Sequence, residues 1–218
     1  DGVGACAPFR RLNLCNKNMV KMDTNNDSKA KNDLLAEVCL AAKYEGESIK
    51  THYPQYQEKY GDTGHTTCTM LARSFADIGD IVRGKDLYLG NKKKKQKETE
   101  REKLEKNLKK IFGKIHDDVT TNGKKGAKDR YKDTDNYYQL REDWWTANRH
   151  TVWKAITCKA DTGNAYFRPT CIDGNSKSQA KDKCRRKKND GKNETDQVPT
   201  YFDYVPQFLR WFEEWAED

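Results

Sequence analysis

The main hydrophobic pattern in the chain is helical, and it recurs in segments separated by polar stretches. Apolar residues are spaced three and four apart in residues 33–50, 67–83, 98–116, 136–157 and 203–216. This spacing places apolar side chains on one face of an α-helix. No stretch of useful length alternates apolar and polar residues as a half-buried strand does. The pattern therefore predicts an all-α fold, a helical bundle with long loops.

The segment 67–83 carries the most regular of these stripes. Its apolar face consists of Cys68, Leu71, Phe75, Ile78 and Val82. Gly79 lies within the segment, although glycine in a helix costs about 1 kcal/mol relative to alanine. We interpret this glycine as a point of close approach to another helix. The charged residues at the end of the segment, Asp80, Arg83, Lys85 and Asp86, are expected to form salt bridges there.

Three tryptophans fall within ten residues of the stretch "LREDWWTANRHTVWKAITC", residues 140–158. Leu140, Trp144 and Ala147 form one helical stripe, while Trp145, Val152 and Ile156 form another with Trp153 beside it. An apolar arc this wide is typical of a central helix that packs on two sides. We therefore predict that the three tryptophans are core residues, the alternatives being an aromatic binding platform and a catalytic site at His150.

The last segment, "DYVPQFLRWFEEWA", is predicted to be a helix over residues 203–216. Asp203 is expected to cap it, and Pro206 falls in the first turn, where proline is tolerated. The residues expected to face the core are Val205, Phe208, Leu209, Trp211, Phe212, Trp215 and Ala216.

The polar segments between the predicted helices carry most of the positive charge. The chain of 218 residues has 42 Lys and Arg against 34 Asp and Glu, a net charge of +8. Residues 91–132 contain 16 basic and 7 acidic residues, whereas residues 198–218 contain five acidic residues and one basic residue. The residues 16–32 and 51–66 are predicted to be loops. A local basic excess indicates a polyanionic partner, such as nucleic acid, an acidic membrane or a sulfated glycan.

Catalytic, metal-binding and cofactor motifs are not found in the sequence. It has no phosphate-binding loop, no G-x-S-x-G nucleophile motif and no H-E-x-x-H metal motif. Its seven cysteines form no C-x-x-C pair and have no zinc spacing with the four histidines. We therefore predict no enzyme activity, no metal and no cofactor.

The cysteines indicate an oxidising compartment. Their wide, irregular spacing in an aromatic-rich chain fits disulfide bonds. No apolar run approaches the roughly 20 residues of a membrane span, and the first residues, "DGVGACAPFRRLNLC", have no signal-peptide pattern. The odd number of cysteines leaves one free or paired outside the chain, which favours a piece of a larger protein over a cytosolic one.

Five blocks together resemble the Duffy-binding-like domain, most closely its alpha class, found near the N-terminus of the malaria parasite's erythrocyte membrane protein 1. The blocks are "CAPFRRLNLC" (6–15), "AAKYEGESI" (41–49), "ARSFADIGDIVRGKDLY" (72–88), "LREDWWTANRHTVWKAITC" (140–158) and "VPTYFDYVPQFLRWFEEWAED" (198–218). They span nearly the whole chain in order. The resemblance implies a disulfide-stapled helical bundle in two parts, the end of a first subdomain (1–30) and a second subdomain (31–218).

The resemblance also implies an adhesion module, carried by a larger transmembrane protein on the extracellular face of the infected erythrocyte. The expected partners are receptors on host erythrocytes or endothelium, sulfated glycosaminoglycans such as heparan sulfate, blood-group glycans and host antibodies. Rosetting, cytoadherence and antigenic variation follow from the same resemblance. The alternative is an intracellular nucleic-acid-binding protein, motivated by the pI of about 9.0. The basic loops contain almost no aromatic residues for stacking on bases, so we expect no nucleic acid.

For a protein of this family we expect two disulfide bonds. Cys39 is expected to pair with Cys158 and so to link the 33–50 helix to the end of the tryptophan helix. Cys68 is expected to pair with either Cys171 or Cys184. In the family, cysteines at the positions of Cys6 and Cys15 pair with upstream residues, so these two are expected to be free or bonded to each other.

Two basic clusters are the candidate glycan-binding residues. One is Lys92, Lys93, Lys94, Lys95 and Lys97, and the other is Arg185, Arg186, Lys187 and Lys188. We expect them to attract sulfated glycosaminoglycan through summed charge rather than fixed geometry. The alternative is that these loops are variable, solvated and antigenic without a ligand of their own.

Overall fold

The described part of the chain consists mainly of α-helices. The computed structural model describes residues 6–24, 30–60, 66–90, 98–121, 126–161, 163–164, 171–173, 176–178, 180, 182–185 and 198–217. Within them the helices are α1 (Phe9–Leu12), α2 (Lys17–Val20), α3 (Ala30–Tyr60), α4 (Thr67–Arg83), α5 (Glu100–Thr121), α6 (Ala127–Arg130), α7 (Tyr138–Ile156) and α8 (Gln207–Glu217). A 3-10 turn covers Phe202–Tyr204, and a short antiparallel hairpin pairs β1 (Cys171–Asp173) with β2 (Ser176–Ser178). The predicted all-α class is confirmed, with this unpredicted hairpin as a small addition.

Helix α4 matches the predicted segment 67–83. The side-chain oxygen of Thr66 accepts a hydrogen bond from the backbone N–H of Thr69 at its start. Gly84 ends it in the left-handed conformation with φ 75°, which glycine adopts without strain. Helices α5 and α7 also lie where the pattern places them, although α5 continues beyond the predicted end at residue 116.

Helix α3 is longer than its hydrophobic pattern predicts. Residues 51–60, predicted to be a loop, continue the helix through Pro54. Proline lacks the N–H that would bond to the carbonyl one turn earlier, so the helix loses one hydrogen bond there. The aromatic ring of Tyr53 is buried in the common core beside Ile49, and this burial offsets the loss.

Helix α4 packs against both α3 and α7, which also pack against each other, and nearly all of its side chains are buried. A Cβ atom added at Gly79 would lie 2.7 Å from the Trp145 ring. A Cβ atom added at Gly46 in α3 would lie 2.0 Å from the Ile156 carbonyl oxygen of α7. Both glycines therefore permit helices to pack closely, as predicted for Gly79.

The three tryptophans of α7 are buried in the core, which confirms the prediction. Trp145 and Trp153 are fully buried and Trp144 almost fully. The Phe75 ring of α4 lies 5.1 Å from the Trp145 ring and 5.0 Å from the Trp153 ring, measured between centroids. Because the rings are covered, they act as packing residues rather than as an exposed binding platform.

A disulfide bond links the start of α4 to the segment around Cys184. Cys68 at the start of α4 is bonded to Cys184, 116 residues later, so of its two expected partners the structure has Cys184. The indole N–H of Trp153 donates to the Cys184 carbonyl at 3.1 Å. The segment around Cys184 is thereby held against α4 and α7.

Candidate functional site

Most of the predicted glycan-binding residues lie outside the described residues. This holds for Lys92, Lys93, Lys94, Lys95 and Lys97, and for Arg186, Lys187 and Lys188. Arg185 is described, and it is half-buried at the end of α7. Its Nε donates to Thr157 Oγ1 at 2.7 Å and its Nη2 to the Lys154 carbonyl at 2.8 Å. Arg185 therefore has a structural role, and its contact with a glycan stays a prediction.

The described part of the chain adds a basic face on α5, directly after the first lysine cluster. Lys103, Lys106 and Lys110 are exposed and are spaced three and four residues apart, so they share one side of the helix. Lys106 Nζ lies 2.5 Å from Glu98 Oε1, and this hydrogen bond raises the pKa of Lys106. Glu98, Glu100 and Glu102 lie between this face and the lysines at 92–97, and Glu98 neutralises Lys106, so Lys103 and Lys110 supply the positive charge that the face can add.

Cys39 and Cys158 are both free thiols in the structure, so the expected bond between them is not formed in it. The two residues nevertheless line one shallow depression of about 600 Å³ between α3 and α7, together with Leu40 and Ala155. Burial raises the pKa of the Cys39 thiol to about 11. The pairing stays a prediction for the oxidised protein. Cys6 and Cys15 are also free.

Asp77, fully buried on α4, is the centre of a network of charged side chains. Its carboxylate accepts hydrogen bonds from Arg10 at 2.7 Å and from Arg210 at 2.8 Å. Gln207 and Trp211 of α8 donate to it at 3.0 and 3.2 Å. Burial alone would raise the pKa of Asp77, but the two arginines outweigh burial and hold the pKa below its usual value.

Asp80 lies one turn further along α4 and joins the same network. It accepts from Arg83 Nη2 at 2.8 Å and from Arg210 Nη2 at 2.5 Å. Burial raises the pKa of Asp80 to about 6 against the effect of the two arginines, and the nearby Asp77 charge adds to the rise. The predicted salt bridge between Asp80 and Arg83 is confirmed.

The other two charged residues at the end of α4 also have acidic or basic partners. Asp86 pairs with Arg11 of α1, and Lys85 with Glu142 of α7. Arg11 and Asp86 lie at the edge of a polar cavity of about 370 Å³ beneath the N-terminal end of α5. Since these two charges neutralise each other, the pair offers no net charge to a ligand.

A second set of buried polar side chains, centred on Asp203, bonds the 3-10 turn to α7. Arg149 donates to Asp203 through Nε at 2.9 Å and through Nη2 at 2.7 Å. The indole N–H of Trp145 donates to the same carboxylate at 2.8 Å. The expectation that Asp203 caps the last helix is therefore wrong, because its carboxylate is turned into the core. Pro206 precedes α8, and its carbonyl accepts from the backbone N–H groups of Leu209 and Arg210.

The buried network around Asp77 and Asp80 and the buried pair Arg149–Asp203 together determine the orientation of α8 on the fold. Its buried residues are Gln207, Arg210, Trp211 and Glu214, whereas Phe208, Leu209, Phe212, Trp215 and Ala216 are exposed. The prediction for Trp211 is correct. The predictions that Phe208, Leu209, Phe212, Trp215 and Ala216 face the core are wrong, and Val205 is only partly buried. The physical reason is that α8 packs on α4 through its charged face, where Arg210 forms salt bridges with Asp77 and Asp80.

The charged face of α8 was not identified as a buried face from the sequence, although a signal for it exists. Gln207, Arg210 and Glu214 are spaced three and four residues apart, which is the spacing of a helix face. Asp77 and Asp80 have the same spacing on α4. A polar stripe on one predicted helix and a complementary stripe on another indicate buried pairing, but the hydrophobic pattern alone does not reveal it.

The described residues hold neither a cluster suited to a metal ion nor a helix suited to crossing a membrane. They contain no group of three or more His, Cys, Asp or Glu side chains suited to a metal ion. None of the helices in the described ranges is both long enough and apolar enough to cross a membrane.

Comparison with known proteins identifies the family. The Duffy binding domain family matches residues 4–210. Among solved structures, the NTS-DBL1(alpha-1) domain of the Plasmodium falciparum membrane protein 1 (PfEMP1) from the varO strain superposes with a TM-score of 0.72 at 43% identity. That match covers 97% of this chain and 43% of the other. The chain therefore belongs to the Duffy binding domain family, and its resemblance to the PfEMP1 domains is confirmed.

Two structures of the beta class are also similar. The ICAM-1-binding PfEMP1 IT4var13 DBLbeta domain has a TM-score of 0.65 at 30% identity, with coverage of 95% of this chain and 41% of the other. A PfEMP1 DBLb domain bound to human ICAM-1 has a TM-score of 0.61 at 30% identity, with coverage of 99% and 42%. The chain thus spans less than half the length of each of these relatives. No curated protein sequence matches it significantly.

Proposed function

We propose that the chain is part of a non-enzymatic adhesion module that binds host receptors at the surface of the infected erythrocyte. The observation that carries the proposal is the family match over residues 4–210 together with the similarity to PfEMP1 domains along 95–99% of the chain. Two of those similar domains are described as binding ICAM-1. The proposed location is the extracellular face of the erythrocyte membrane, within a larger transmembrane protein.

We propose that the helices provide the stable scaffold and that the loops between them contact host molecules. The buried charge network and the tryptophan core support a rigid scaffold, because the buried carboxylates Asp77, Asp80, Asp86 and Asp203 each pair with an arginine. The segments 91–97 and 122–126 between the helices are basic, and we expect the sequence of such loops to vary under antibody pressure. The division into residues 1–30 and 31–218 is part of this proposal.

An array of host glycans and receptors, probed with the longer protein that contains this chain, tests the receptor proposal. We expect saturable binding to at least one erythrocyte or endothelial receptor, such as ICAM-1, or to a blood-group or sulfated glycan. Uniform lack of binding, with a folded protein, would contradict the proposal. Binding of duplex or single-stranded nucleic acid in preference to every receptor would favour the intracellular alternative.

For the glycan we propose that the lysines at 92–95 and 97 form the main site, extended by Lys103, Lys106 and Lys110 on α5. The described α5 lysines are exposed, and Lys103 lies six residues after Lys97. Summed charge on neighbouring groups attracts a polyanion without fixed geometry, so each lysine alone contributes little. Arg186, Lys187 and Lys188 form a second proposed site, while Arg185 contributes less because its guanidinium bonds to the end of α7.

Heparin retention measured against salt concentration tests the glycan proposal. Replacing the five lysines at 92–95 and 97 with serine should lower the eluting salt concentration, since exposed charges are screened beyond about 8 Å at physiological ionic strength. The matched control removes the same number of exposed charges elsewhere, at Lys31, Lys43, Lys50, Lys154 and Lys159. Equal elution of the two variants would mean that net charge alone retains the protein. Unchanged elution of both would refute the proposal that lysines 92–95 and 97 form the main site, and would place it elsewhere, for instance on the Lys103, Lys106 and Lys110 face of α5.

A further inference from the structure

Gln207, the first residue of α8, is buried, and both polar atoms of its side-chain amide are hydrogen-bonded. The nitrogen donates to Asp77 Oδ1 and to Asp86 Oδ1, each at 3.0 Å. The oxygen accepts from the backbone N–H of Leu87 at 2.7 Å. A carboxylate only accepts and a backbone N–H only donates, so these partners fix the orientation of the amide. One neutral side chain therefore joins α8 both to α4 and to the loop of residues 84–90 that follows α4.

The 84–90 loop is held by contacts with other segments of the chain. Leu87 is 45% exposed, so its side chain contributes little packing. The buried residue of the loop is Asp86, whose carboxylate pairs with Arg11 of α1. The backbone carbonyl of Asp86 accepts from Arg101 Nη2 of α5 at 2.9 Å. With the two bonds from Gln207, the loop is bonded to α1, α5 and α8 together.

The 84–90 loop leads into the first lysine cluster and ends against the start of α5. A Cβ atom added at Gly90 would lie 3.5 Å from the Cβ atoms of both Thr99 and Arg101. The described fold therefore stops at Gly90 and resumes at a neighbouring point. Lys92, the first residue of the cluster, is only two residues away from Gly90 along the chain.

We propose that Gln207 is a positioning residue for the lysine-based glycan site, because it holds the 84–90 loop and so keeps the start of the lysine segment beside α5. This role rests on the glycan site of the proposed function. Exposed charges are screened beyond about 8 Å at physiological ionic strength, so the fields of the cluster and of Lys103 add only where these groups lie close together. Gln207 is neutral and buried, so it influences that field through position alone.

Hydrogen exchange of the longer protein that contains this chain, measured on peptides that cover residues 84–90, tests the positioning role. Gln207→Met keeps a side chain of similar length and removes all the hydrogen bonds of the amide. Exchange in the loop should then rise roughly tenfold, as in a segment that opens locally. Trp211→Phe is the matched control, since it removes one buried hydrogen bond from α8 to Asp77 and leaves the bonds to the loop in place. Unchanged exchange in Gln207→Met, or an equal rise in both variants, would overturn the proposal.

Gln207→Asn is the second variant, for the case that Gln207→Met does not fold. It retains an amide on a side chain that is one methylene shorter, so the amide cannot span Asp77 and Leu87 together. Exchange in residues 84–90 should again rise above that of Trp211→Phe. Exchange equal to that of the wild type would overturn the proposal in the same way.

Affinity for heparin oligosaccharides measures the consequence for the glycan site. Gln207→Met leaves the net charge unchanged, so a loss of about threefold in affinity would reflect the position of the charges rather than their number. Trp211→Phe should retain the wild-type affinity. A loop that exchanges faster in Gln207→Met while the heparin affinity stays the same would overturn the role in glycan binding. If the wild-type protein does not bind heparin, the proposed glycan site fails, whereas the exchange experiment still decides whether Gln207 holds the loop.

Discussion

Trp145 and Asp203 are joined by a hydrogen bond of 2.8 Å between Nε1 and Oδ2, across 58 residues of sequence. The same carboxylate pairs with Arg149, so one buried acidic group anchors the C-terminal segment to the tryptophan helix. Its position explains why the bundle presents the residues after 203 in one fixed orientation. The consequences for stability are testable with conservative variants.

Replacing Asp203 with alanine should destabilise the fold by roughly 3–5 kcal/mol, because Arg149 would then be a buried charge without its partner. Urea denaturation of the purified variant measures this change. The control is Asp161→Ala, which removes an exposed carboxylate 2.6 Å from Lys50 and should cost about 1 kcal/mol or less. Equal losses for the two variants would contradict a special role for the buried pair.

Trp144→Ala should cost roughly 3–5 kcal/mol of unfolding free energy, as expected for a large side chain removed from a packed core. The Phe112 ring of α5 meets the Trp144 ring edge to face, with centroids 6.2 Å apart, and would lose that contact. Tyr138→Ala, at an exposed position of the same helix, serves as the control. A stable Trp144→Ala protein that loses only receptor binding would show that this ring is a binding residue instead.

The disulfide pattern is predicted to be Cys68–Cys184 together with Cys39–Cys158. A bond that closes a loop of about 116 residues contributes roughly 4–5 kcal/mol in the chain-entropy model. Peptide mapping under non-reducing conditions should recover both linked pairs from protein made in an oxidising compartment. Recovery of Cys39 as a free thiol from such protein would refute the second pairing.

The unfolding free energy should depend on pH in part through the ionisation of Asp80. Burial raises the pKa of Asp80 to about 6 from 3.8, so between pH 4 and 6 the folded state binds more protons than the unfolded state. Its contribution to stability is therefore present below about pH 4 and falls as pH rises through 6.

The unfolding free energy of the wild type, relative to Asp80→Asn, should accordingly decrease by about 2–3 kcal/mol between pH 4 and pH 7. Denaturation at the two pH values measures the difference. If the unfolding free energy of the wild type relative to Asp80→Asn increased with pH, the raised pKa of Asp80 would be contradicted.

Hydrophobic spacing predicted the helices well because in most of them the apolar stripe is also the buried stripe. Helix α4 is the clearest case, since its stripe is continuous and Thr66 and Gly84 mark its ends. Helix α3 was underestimated because Pro54 normally ends a helix, whereas here the helix continues to Tyr60 although most of residues 55–59 are exposed. The position of α4 could therefore be predicted from local sequence, whereas the length of α3 could not.

Helix α8 shows where spacing is insufficient. Its apolar residues have regular helical spacing, but which face is buried depends on Arg210 meeting Asp77, 133 residues earlier in the chain. Pairing at that distance is a tertiary property, which hydrophobic spacing does not reveal and only the matching charged spacings on α4 and α8 indicate. The candidate glycan residues are a different case, because most of them fall outside the described residues, where only composition and charge are informative.

Staining live, unpermeabilised infected erythrocytes with antibody raised against residues 1–218 tests the adhesion function most directly. If the chain is part of a displayed receptor-binding protein, the antibody should label the outer surface of intact cells, and brief trypsin treatment of those cells should remove the label. An antibody against an internal parasite protein should give no signal under the same conditions. Labelling that is seen only after permeabilisation, in the nucleus or cytosol of the parasite, would contradict the adhesion function.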